Sequence, residues 1–66
     1  MDLKDMVVSI VYQHPDGLGP LDIVRELASQ YNIQTHSREV LQVLEKNPKL
    51  FEPTPGGFKA PSKKSS

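Results

Sequence analysis

The 66-residue chain contains no cysteine, so neither a disulfide framework nor a thiolate metal site can hold it together. It has no apolar stretch near the roughly 20 residues that a membrane span needs. No apolar run follows Met1 in the manner of a secretory signal either. These absences lead to the expectation of a soluble, intracellular protein that does not engage a membrane. Histidine is scarce: His14 and His36 are the only two. A zinc site would need carboxylates converging on them, yet His14 falls in a turn and His36 opens a helix. Gly56-Gly57 lacks the glycine spacing, the following helix and the lysine of a phosphate-cradling loop. Serine, histidine and aspartate occur without a pattern that would place them as a triad. A domain this small also has little room for a substrate cleft. The expectation is a binding module rather than an enzyme, with no catalytic residue, metal, cofactor or small-molecule substrate.

An excess of charge is missing too. The formal net charge is +0, from 8 basic and 8 acidic residues. The halves nevertheless differ. Residues 1–34 carry Asp2, Asp5, Asp16, Asp22 and Glu26 against Lys4 and Arg25, a net −3. Residues 35–66 carry Arg38, Lys46, Lys49, Lys59, Lys63 and Lys64 against Glu39, Glu45 and Glu52, a net +3. Such asymmetry can turn a basic face toward an anionic partner although the total cancels.

What is present is helical periodicity. Leu3, Met6, Val7, Ile10 and Val11 fall at i, i+3, i+4, i+7 and i+8, which predicts an amphipathic helix over about 2–13. Asp2 is placed to cap it, and His14-Pro15-Asp16-Gly17 to end it. Leu18, between two glycines, is expected to form a one- or two-residue strand. Pro20 opens a second helix in the first-turn position. Its predicted buried stripe is Leu21, Val24, Leu27, Ala28 and Tyr31, with Asn32 as left-handed C-cap and Ile33 folding back. A third helix is predicted from Thr35, as cap, to Lys46, with Val40, Val43 and Leu44 inward and Asn47-Pro48 as its stop.

From Lys49 the pattern changes. Residues 49–52 and 57–60 read as short strands around Pro55-Gly56 turn chemistry. Phe51 and Phe58 would then cap the core. The expected fold is a small α+β winged helix-turn-helix, three helices plus a C-terminal β-hairpin wing, as one domain over 1–60. Residues 61–66 have nothing to pack and are expected to be a disordered basic tail.

Gly19-Pro20-Leu21-Asp22-Ile23-Val24, Val43-Leu44-Glu45-Lys46-Asn47-Pro48-Lys49 and Gly57-Phe58-Lys59-Ala60-Pro61 carry a resemblance. The chain resembles winged-helix domains of the eukaryotic transcription machinery, particularly those in the beta subunit of general transcription factor IIE. The resemblance implies a nuclear domain that binds double-stranded DNA or other proteins of a transcription complex. The same outline also occurs in RNA-associated domains similar to the LOTUS group.

If the third helix reads nucleic acid, its outward residues opposite Val40 and Leu44 are Arg38, Gln42 and Glu45. Lys46 also lies along the contact face and Lys49 just beyond the helix end, while Glu39 and Glu45 would face phosphates unfavourably. Arginine and glutamine have the fork geometry for guanine and adenine edges, and Ser37 can donate to a phosphate. Lys59 on the wing and Lys63 and Lys64 on the tail complete the expected basic footprint. The pI of about 6.7 is low for a DNA-binding domain. The alternative is a protein-protein adaptor using the first helix, where Val8 and Tyr12 lie one turn apart and off the main stripe. Against that adaptor, the hairpin or the residue 15–18 loop would cover Tyr12 and leave its hydroxyl in water.

Overall fold

The structure, a computed structural model, describes residues 2–62. Three helices, α1 (Leu3–Tyr12), α2 (Pro20–Tyr31) and α3 (Ser37–Lys46), precede a hairpin of β1 (Glu52–Thr54) and β2 (Gly57–Lys59). This is the small α+β, winged-helix-like layout expected from the sequence.

The helix ends follow local chemistry. The Asp2 carboxylate accepts from the Asp5 N–H at 3.4 Å and caps α1. Asn32 stands in the left-handed region (φ 56°, ψ 38°), tolerable for asparagine because its short polar side chain suits that conformation. The chain then reverses, with the Ile33 N–H donating to the Leu27 carbonyl at 3.2 Å. At α3 the cap is His36 rather than Thr35, and His36 makes no side-chain capping bond. The Thr35 hydroxyl is instead buried without a hydrogen-bond partner, so it cannot serve the helix end. Asn47 closes α3, its side-chain amide donating to the Val43 carbonyl at 2.7 Å.

The wing differs from the expected strands. Leu50 donates to the Asn47 carbonyl at 2.9 Å, which extends the turn after α3, and pairing begins only at Glu52. Glu52 faces Lys59, Pro53 faces Phe58, and Thr54 faces Gly57. Leu18 bridges Phe58 from the other side, its N–H and carbonyl each bonding Phe58 at 2.8 Å. Both polar backbone groups of Phe58 therefore point to Leu18. Pro53 opposes Phe58 at a position where no bond to β1 is made, so its missing N–H costs the ladder nothing.

Phe51 is driven into the core beside Met6, Val7, Ile10 and Val11 of α1, Ile23 and Leu27 of α2, and Val40 and Leu44 of α3. Phe58 is half-buried against the same cluster. The stripe expected for α2 requires correction. Ile23 is fully buried, whereas Leu21 is 65% exposed and Ala28 is exposed. The core lies on the Ile23–Leu27 edge of the apolar arc rather than at its centre. At the far end of the helices, the side-chain amides of Gln13 and Gln30 exchange hydrogen bonds at 3.3 and 3.2 Å, joining α1 to α2.

Candidate nucleic-acid interface

Burial of Val40 and Leu44 turns the opposite face of α3 outward. Arg38, Gln42 and Lys46 occupy that face as one row at i, i+4 and i+8, and all three are exposed. Glu39 and Glu45 flank the row on its two sides at the level of Gln42, three residues before and after it, and both are exposed as well. The outward surface thus holds two cations and two carboxylates around a glutamine, with local cancellation of charge. Lys49 is exposed in the turn after the helix, while Ser37 is half-buried as its first residue. None of Arg38, Gln42, Lys46 and Lys49 has a side-chain hydrogen bond or ion pair among the described residues.

The wing supports this row less than expected. Lys59 is half-buried and lies directly across the ladder from Glu52, so its charge sits beside a carboxylate on the same face. The hairpin is seated through β2 against α1 and through the Leu18 bridge. Beyond the hairpin, the Ser62 N–H donates to the Glu52 carboxylate at 2.9 Å. Lys63 and Lys64, and with them most of the expected tail, lie outside the described residues.

The alternative pair on α1 is altered by packing. Val8 is half-buried and packs against the core. Tyr12 is 46% exposed, so the hairpin and the residue 15–18 loop leave about half of it in solvent. Its hydroxyl is nonetheless engaged, donating to the Leu50 carbonyl at 3.2 Å and tying α1 to the segment after α3.

Sequence reasoning missed a second surface. The apolar residues of α2 run around its wheel as Ile23, Leu27, Tyr31, Val24, Ala28 and Leu21, an arc of roughly 160° at 3.6 residues per turn. Only the first part faces the core. Beside the uncovered shoulder lies an open groove of about 250 Å³, lined by Val24, Arg25, Ala28, Ile33, Gln34 and Thr35. The signal available in the sequence was the breadth of that arc. Among the described residues no three His, Asp or Glu side chains converge as a metal site. No helix there is long and apolar enough to cross a membrane. No known protein family, curated protein or solved structure matches the chain.

Proposed function

We propose that the chain is a non-catalytic binding module of a nuclear, transcription-type assembly that contacts double-stranded DNA through α3. The observation that carries this reading is the exposed row Arg38, Gln42 and Lys46, unengaged by other side chains and standing on a helix that the core holds rigid. A helix of this kind fits the major groove, where arginine and glutamine meet base edges in bidentate fashion. Lys46 and Lys49 are suited to phosphates, which set register without reading sequence. The resemblance to winged-helix domains of the transcription machinery points the same way.

Glu39 and Glu45 set the expected strength. They repel phosphates at the borders of the row, so binding is weak and strongly salt-dependent, with modest sequence preference. Ser37 and Lys59, both half-buried, contribute less than the exposed residues.

The test is fluorescence anisotropy with a labelled duplex over a range of salt. Arg38→Ala combined with Lys49→Ala leaves the fold intact because both side chains are exposed. Loss of two cationic contacts should weaken binding and lower the slope of log affinity against log salt by about 2. Unchanged affinity and slope would remove α3 from the interface. An equal or tighter response to single-stranded RNA would favour an RNA-associated domain instead.

A further inference from the structure

The groove beside α2 carries chemistry that the proposed DNA contact does not use. Its floor is apolar, formed by Val24, Ala28 and Ile33, and the exposed Leu21 extends that apolar shoulder one turn toward the helix start. A single charge lines it, the exposed Arg25 guanidinium, which has no hydrogen-bond or ion-pair partner among the described residues. No carboxylate is among the residues that line it. Gln34 and Thr35 add polar groups at the α2–α3 connection, and the Thr35 hydroxyl has no partner. A volume of about 250 Å³ holds one branched aliphatic side chain with an attached carboxylate.

We propose that this groove docks a partner polypeptide by an aliphatic side chain adjacent to a carboxylate. The aliphatic group lies on Val24, Ala28 and Ile33, displacing water from surface the fold leaves bare. The carboxylate lies on Arg25, whose planar fork donates two N–H bonds to it in bidentate fashion. The charge balance selects the ligand class: one cation, no competing acid and an apolar floor match an acidic–aliphatic segment. A basic segment finds no counter-charge there.

N-acetyl-leucine and N-acetyl-leucinamide are the probes, titrated into the full ¹⁵N-labelled chain and read by amide shifts. They differ only in the carboxylate. The acid should bind in the millimolar range, as its size allows, with shifts at residues 24–28 and 33–35. It should bind about threefold tighter than the amide, the scale of an exposed ion pair. Arg25→Gln should remove that preference, and Ala28→Glu, which plants a competing carboxylate in the groove, should remove acid binding. Both positions are exposed, so both variants keep the wild-type spectrum elsewhere. Equal response to acid and amide, shifts away from the groove, or none would overturn the proposal. Duplex DNA moving the same amides, and losing affinity in Arg25→Gln, would overturn it too and assign Arg25 to the nucleic-acid surface. If the groove responds and α3 binds no duplex, the docking site stands while the DNA reading fails.

Discussion

Helices α2 and α3 present apolar arcs of nearly equal width, roughly 160° each at 3.6 residues per turn, and the fold treats them differently. On α3 the whole arc is used: Val40 and Leu44 are buried, and Leu41 and Val43 are half-buried against the core. On α2 the core covers Ile23 and Leu27 and leaves Leu21 and Ala28 in solvent. The reason is the number of neighbours. Both helices pack on α1 and on each other, but among the described residues no further helix or strand covers the Leu21 and Ala28 side of α2. Hydrophobic periodicity measures how apolar a face is, and only packing decides whether it is covered.

The largest expected effect separates the two edges of α2. Ile23→Ala should cost about 2–5 kcal/mol, because it empties a fully buried site. A chain of this size has about 3–10 kcal/mol in total, so that variant should be largely unfolded or melt far below the wild type. Leu21→Ala should change stability by no more than about 0.5 kcal/mol. Urea denaturation of the pair decides it. Similar losses at the two positions would mean that the Leu21 shoulder is covered after all.

Next in size is the wing, whose attachment needs a glycine. A Cβ at Gly57 would overlap the Leu18 carbonyl, the group that accepts from the Phe58 N–H. Gly57→Ala should therefore cost about 1–3 kcal/mol. Faster hydrogen exchange at Leu18 and Phe58 than at core amides of α2 and α3 would locate the damage in the wing and show that both helices survive it.

The smallest effect sits on α1, outside the compared pair. The side-chain hydrogen bond with Asp5 and the Asp5 backbone N–H hold the Asp2 carboxyl below its ordinary value of 3.8. A lowered folded-state value means that the unfolded chain binds more protons in the intervening pH window. Its contribution is present above the ordinary value and is lost as pH falls through the folded one. Asp2→Ala should flatten the decline in urea midpoint from about pH 5 downwards, to a small degree because the group is fully exposed. An unchanged acid limb would mean that the cap is idle in solution.

Much of the backbone was legible because single residues decide it locally. Asn32 as a left-handed cap, Leu18 as a miniature strand, Asn47 as a stop and the Pro55-Gly56 turn each follow from one side chain's own preferences. The α3 row was legible too, since Val40 and Leu44 define an inside and thereby an outside. What escaped depended on contacts distant in sequence. Lys59 acquires Glu52 as its neighbour only through hairpin register, Tyr12 finds the Leu50 carbonyl only through the packing of α1, and the exposed shoulder of α2 depends on which of its faces the other described elements cover. Residue type favours Thr35 as a cap but carries no sign that its hydroxyl is buried.

The most direct measurement is an amide-shift titration of the ¹⁵N-labelled chain with duplex DNA at low ionic strength, repeated with added salt. Shifts concentrated at residues 37–49 that fade with salt, with the α2 amides 21–28 still, are the predicted result. Shifts centred on α2, or none at any concentration of duplex, would contradict it.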